Sequence, residues 1–187
     1  MIDVGFIGDL HLGHPAIAKL RGFDDINVYN EEVIRRLNSV LHKRSLLYLV
    51  GDTTMENSKY YYLLDRILGR KVSISGNHDL KQHSAELLKY VESIVGAMKY
   101  HGAMVTHFPM HTQEVHRFAF NIHAHTHLET IKAWRYQPGG YIATEYPDLN
   151  YTCVSWDQLD GIPISWDQIV EKREKQRAEI ELLIKQK

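Results

Sequence analysis

Val4-Gly5-Phe6-Ile7-Gly8-Asp9-Leu10-His11 is a short apolar run, a glycine, and then two side chains of the kind that ligate metals. A run of this length bounded by a polar turn marks a buried strand. The strand over residues 4–8 therefore hands Asp9 and His11 to the loop at its carboxyl end. The pattern repeats: residues 46–50 end in Gly51-Asp52, and residues 72–75 end in Gly76-Asn77-His78-Asp79. Between them lie two helical patterns, 31–42 with Val33, Ile34, Leu37, Val40 and Leu41 on one face, and 59–68 with Tyr60, Leu63, Leu64 and Ile67. Strand, helix, strand, helix, strand predicts a parallel sheet with crossover helices, and ligands in that architecture sit beyond the carboxyl ends of the strands.

Working outward, the pattern predicts a helix over 84–93 and strands over 98–106 and 117–122. The strands run into His107 and into His123-Ala124-His125-Thr126-His127. Pro138-Gly139-Gly140 predicts a turn, residues 151–155 a last strand, and residues 167–187 a charged helix packed at one or both ends and otherwise solvated.

At 187 residues the chain is long enough for one domain with a full core and too short for two ordinary ones, so a single domain over 1–187 is expected. Apolar content of 44% with 24% charge suits a folded soluble protein. A net charge of -1 argues against affinity resting on a large basic surface; nucleic acid is possible as a substrate but not favoured. No apolar run approaches bilayer length, so no membrane is expected. The opening residues show no basic-then-apolar leader, and Cys153, the only cysteine, cannot form an internal disulfide. Both fit a cytoplasmic protein. Cys153 reads as a small buried hydrophobe.

The ordered polar blocks read together as a metal site. Carboxylate oxygens favour Mn or Mg, and imidazole favours Mn, Fe, Ni or Zn. Without a cysteine in the cluster a structural zinc knot is not expected. Seven candidate ligands are too many for one tetrahedral ion. Two metals sharing a bridging carboxylate would use them all, and a pair about 3.5–4 Å apart clamps the attacking and leaving oxygens of a phosphoryl displacement.

In order and spacing the blocks resemble the motif series of the calcineurin-like metallophosphoesterases: D-x-H, G-D, G-N-H-D or E, H, and G-H-x-H. The resemblance covers Asp9 to His127, about two-thirds of the chain. Asp9-Leu10-His11-Leu12-Gly13-His14, Asn30-Glu31-Glu32, Leu68-Gly69-Arg70-Lys71 and Thr106-His107-Phe108-Pro109-Met110 narrow it to the small bacterial and phage-type phosphoesterases. It implies an α/β fold in which a two-sheet β-sandwich is flanked by helices, the αββα metallophosphoesterase fold. It implies Asp9, His11 and His127 on one metal, Asn77, His107 and His125 on a second, Asp52 bridging, and two divalent ions, Mn²⁺ first, with Fe, Ni, Zn or Mg as alternatives. His78 corresponds to the histidine that stabilises the phosphate, with Asn77, and protonates the leaving oxygen. The physical chemistry agrees, since a poor alkoxide leaving group needs a proton and a cationic imidazole can donate one. A hydroxide held between the metals would then attack phosphorus in line.

The activity implied is a phosphodiesterase acting on a small or nucleotide-type diester. The alternatives are a phosphomonoesterase or nucleotidase, and a non-catalytic scaffold that binds proteins through the old metal surface. His14, three past a ligand, is a candidate for substrate phosphate or for stabilising its own loop. His111, His116 and His123 read as surface or supporting residues, Asp79 as a helix cap, and Tyr60, Tyr61 and Tyr62 as packing residues. Two departures stand out. Ala124 replaces the usual Gly of G-H-x-H, which matters if the position needs positive φ. Gly51-Asp52-Thr53-Thr54-Met55-Glu56 lacks the Asp and Arg of the phosphoprotein phosphatases, leaving no evident carboxylate to orient His78. Loops 15–30, 109–118 and 133–146 are expected to set substrate choice.

Overall fold

A computed structural model describes residues 1–185; the last two residues of the helix expected over 167–187 lie outside them. The first half of the chain forms β1 (Val4–Ile7), α1 (Pro15–Leu20), α2 (Ile26–Asn38), β2 (Leu46–Val50), β3 (Arg70–Ile74), α3 (Ser84–Leu87) and β4 (Ser93–Val95). The second half forms β5 (Ala97–Tyr100), β6 (Ala103–Thr106), α4 (Thr112–Val115), β7 (Asn121–His123), β8 (Lys132–Gln137), β9 (Gly140–Pro147), β10 (Tyr151–Cys153), β11 (Ile164–Ser165) and α5 (Trp166–Lys185). One sheet has the order β11-β1-β2-β3-β4, parallel except for β11, and a second has the order β10-β7-β6-β5, parallel except for β5. β8 and β9 form a separate hairpin.

The two-residue alternation of strands sorts the core into two parts. Phe6, Tyr48, Val50 and Ile74 point from the first sheet into a cluster with Val105, Ile122 and Val154 of the second, so the sheets pack face to face. Ile7, Leu47 and Leu49 point the other way, against Val33, Ile34 and Leu37 of α2 and against Leu63 and Leu64. Ile169 of α5 joins the cluster between the sheets. The architecture is α/β, with mixed sheets flanked by helices.

Several element boundaries differ from those the sequence predicts. Residues 59–68 form a 3₁₀ helix, Tyr61–Arg66, rather than an α-helix. Tyr61, Leu64 and Ile67 are buried at every third position, the spacing of a three-residue turn. The strand over 98–106 is two strands, because His101 and Gly102 take φ of 44° and 85° and fold it into a hairpin with Tyr100 opposite Ala103. Only the start of 84–93 is helical; Ser93 is drawn into β4 by pairing with Val72. α2 begins at Ile26 because the Asp25 carboxylate accepts from the backbone N–H groups of Asn27 and Val28. The segment over 15–30 is consequently α1 plus the start of α2, and 133–146 is largely hairpin.

Candidate metal centre

Each ligand predicted from the sequence follows the carboxyl end of a strand, and the packed sheets bring those ends to one rim. Asp9 and His11 follow β1, Asp52 follows β2, Asn77 and His78 follow β3, His107 follows β6, and His125 and His127 follow β7. Asp9, His11 and His127 hold ligand atoms within 4.8 Å of one another, and so do Asp52, His107 and His125. Asp52 lies between the groups: its Oδ2 is 3.9 Å from His11 Nε2 and 3.4 Å from His107 Nε2. Asn77 Oδ1 is 2.9 Å from the same His107 nitrogen.

The fit of these residues to cations can be tested on their lone pairs. His107 Nδ1 sits 3.0 Å from the Val50 carbonyl, which requires a proton on Nδ1 and leaves Nε2 facing the oxygens of Asn77 and Asp52. Three acceptors then converge unless a proton or a metal lies among them. Asp9 Oδ1 and both ring nitrogens of His11 are buried with no hydrogen-bond partner, a costly arrangement unless those atoms have another occupation. Burial pushes His11 down to about 3, which keeps the imidazole neutral and able to ligate. Burial also lowers His107, but the Asp52 carboxylate and the Val50 carbonyl outweigh it and the net direction is up. Asp9 is raised by burial against an opposing hydrogen bond from Ser155. Displacing such protons is what metal binding does.

The backbone is strained at the same place. Among the described residues eight non-glycine residues have positive φ, and five of them are Asp9, His11, Asp52, His125 and His127. A left-handed conformation costs such residues about 1–2 kcal/mol each, and clusters of it mark functional sites. Close packing fixes the loops further. A Cβ on Gly51 would lie 2.2 Å from His107 Nδ1, and one on Gly76 would lie 2.2 Å from Asp52 Oδ1.

No protein-family model matches the chain. An uncharacterized protein of Methanocaldococcus jannaschii is 26% identical over 155 residues, which is 80% of this chain and 77% of that protein. A protein of unknown function from Aquifex aeolicus shares the fold: TM-score 0.61 at 22% identity, over 90% of this chain and 97% of that one. Nuclease MPE from Pseudomonas putida aligns with TM-score 0.46 at 19% identity, over 67% of this chain and 62% of its own. Among the described residues no helix is long and apolar enough to cross a membrane.

Four supporting residues, Asp157, Arg21, Ser155 and Glu56, escape the sequence. Asp157 accepts from His127 Nδ1 at 2.7 Å and from Arg21 Nε and Nη2 at 2.8 and 2.6 Å. Arg21 also donates to the Asp9 and Leu10 carbonyls and to the Tyr29 hydroxyl. A carboxylate behind a ligating histidine fixes its tautomer and ring orientation. Ser155 donates to Asp9 Oδ2, which also accepts from the His125 N–H at 3.0 Å. Glu56 lies 3.1 Å from His78 Nδ1, and its N–H donates to the His78 carbonyl. His78 therefore does have an orienting carboxylate, one position past where the phosphatase pattern puts it.

Other residues fall as follows. His14 caps α1, its Nδ1 accepting from the Ile17 N–H at 3.2 Å. His111 and His116 are exposed, whereas His123 is buried. Ala124 lacks positive φ and is buried against Gly8, so the missing glycine leaves the turn intact. Asp79 caps no helix. Its carboxylate instead accepts from the N–H groups of Gly76, Asp52 and Thr53 and ties two ligand loops together. Cys153 is buried, as is Tyr61, while Tyr62 is exposed.

Proposed function

We propose that the chain is a dinuclear metal-dependent phosphoesterase on the αββα calcineurin-like fold, a phosphodiesterase by preference, with Mn²⁺ as the first candidate metal. The observation that carries this reading is the pairing of two ligand groups on one rim with the Asp52 carboxylate between them. Bound divalent ions supply Lewis-acid charge and an activated water at neutral pH. Asp9, His11 and His127 would hold one ion, Asn77, His107 and His125 the other, and Asp52 both. The two His/Asp groups bring a carboxylate and two imidazoles each, a donor set suited to Mn, Fe, Ni or Zn.

His78 is partly exposed beside the cluster, its ring 5.8 Å from that of His11. Its backbone N–H donates to Asp52 Oδ1 at 2.9 Å, which fixes the turn that presents it. With Nδ1 directed at Glu56, Nε2 is the nitrogen left to meet the substrate and hand a proton to the leaving oxygen. The natural substrate in this reading is a small phosphate ester or nucleotide-type diester.

The test is hydrolysis of bis-p-nitrophenyl phosphate beside p-nitrophenyl phosphate by chelator-stripped protein with Mn²⁺ restored. Wild type should turn over the diester faster. Asp52→Asn should abolish turnover, and His78→Ala should lower it about 10²- to 10⁴-fold. Folded protein that is inert with every divalent metal would overturn the enzyme reading and favour the scaffold.

A further inference from the structure

Beside the metal ligands the rim opens into a cleft of about 650 Å³ between α1 and the turn after His125. Ile17 and Leu20 line it from α1 and Leu128 from the turn, together with Arg21 and Asp157; His125 and His127 border it. Leu20 and Leu128 are 84% and 73% exposed. A single exposed leucine needs no explanation. Two of them bordering one cleft that also touches two ligands of the cluster do, and the volume is in the range that holds a small organic ligand.

The charge of the cleft narrows its occupant. Arg21 is the one arginine or lysine among the residues lining it, and its guanidinium is already committed to Asp157, to Tyr29 and to the carbonyls of Asp9 and Leu10. Of the two carboxylates in the lining, Asp157 is paired with Arg21, and Glu129 adds negative charge. A second phosphate placed here would meet negative charge and find no free cation, so a polyphosphate or a polynucleotide strand is a poor fit. An apolar ring is a good one, since it covers Leu20, Leu128 and Ile17 and can present an amino edge to Glu129.

The structure thus assigns this cleft to the organic arm of the phosphate ester, an uncharged, flat group of aryl or nucleobase size. The assignment rests on the phosphoesterase reading, because it takes the phosphate to be held at the neighbouring cluster. Leu20 and Leu128 are the specificity-determining residues, and neither belongs to the ligand set.

Calorimetric titration of Mn²⁺-loaded protein with non-hydrolysable phosphonates tests the assignment without relying on turnover. Wild type should bind phenylphosphonate roughly tenfold tighter than methylphosphonate, given the apolar area a ring would cover, and 4-carboxyphenylphosphonate more weakly than phenylphosphonate. The double variant Leu20→Ser, Leu128→Ser should bring phenyl and methyl to within about twofold of each other while leaving methylphosphonate binding unchanged. Because both positions are exposed the variant should fold, and thermal melting verifies that. Equal binding of phenyl and methyl by wild type, or a phenyl preference that survives in the variant, overturns the cleft assignment and leaves the metal reading standing. Protein that takes up Mn²⁺ but binds none of the phosphonates overturns both.

Discussion

At His127 a candidate ligand becomes an oriented one through Asp157, 30 residues further along the chain. That carboxylate is half-buried, which raises its proton affinity, but hydrogen bonds from His127 and Arg21 outweigh burial and hold it far below the usual range. Asp157→Asn keeps the shape and removes the charge. It should weaken Mn²⁺ binding at one of two sites by about 10- to 100-fold and cost about 2–4 kcal/mol, since Arg21 stays buried without its counterion. Calorimetric titration with Mn²⁺ decides: one weakened class of site is expected, whereas two equally weakened classes or none would contradict an orienting role. His123 gives a cleaner reading of pH. Burial holds it near 4, so it stays neutral in the fold while the unfolded chain takes up a proton below its ordinary 6.5. Stability therefore falls with pH across that window, by up to about 1.4 kcal/mol per unit. Relative to His123→Gln, which cannot titrate, metal-free wild type should lose urea resistance steadily from pH 7 to pH 4; parallel curves would show that His123 charges freely in the fold. The ligands themselves were legible because each stands next to a strand in the text. Asp157 and Glu56 were not, since only folding brings them to the histidines they serve.

Among the elements, β1, β2 and β3 of the first sheet were the most legible, because a fully buried parallel strand is a continuous apolar run that stops where the polar loop begins. β4, β11 and the β8–β9 hairpin were not. β4 and β11 are two or three residues long and exist through pairing with β3 and β1, while the exposed hairpin carries no core face. The 3₁₀ helix Tyr61–Arg66 shows the same limit, for its apolar residues suit either period until the packing chooses. What would make the strand ends a metal cradle is the backbone between them. Gly51 has φ of 80° and its Cβ would strike His107, whereas Gly22 has φ of 84° with nothing within 4 Å of a Cβ. Gly22→Ala should therefore register backbone strain alone, about 1–2 kcal/mol. Gly51→Ala adds the clash, another 1–3 kcal/mol or so, and should dislodge His107 from the Val50 carbonyl. Urea unfolding of the two variants in chelator measures the difference directly. Equal costs would show that the strand ends yield easily and that the cradle is not rigid.

The whole molecule is arranged so that a rim of strained, lone-pair-rich loops is supported by two packed sheets. Five candidate ligands in left-handed conformations and two carboxylates, Asp9 and Asp52, brought together with their histidines make the metal-free rim a place where the fold loses stability. A cation that binds only the folded chain returns it, by about 2.7 kcal/mol per site at a hundredfold excess over Kd. For a domain of this size each kcal/mol moves Tm by about 2–4 °C, so two sites should separate Mn²⁺-loaded from chelated protein by roughly 10–20 °C. The separation should depend on pH in a definite direction. His107 is raised above its ordinary value, so its proton must leave before the nitrogen can ligate. Metal stabilisation is then greatest above that raised pKa and shrinks as pH falls through it. Scanning calorimetry at pH 8 and pH 6, with Mn²⁺ and with chelator, tests both statements. A smaller gap at pH 6 is expected. A gap that widened would place the required deprotonation elsewhere than at His107, and identical melting in Mn²⁺ and chelator at pH 8 would mean that no ion prefers the folded rim, which would remove the ground for a phosphoesterase.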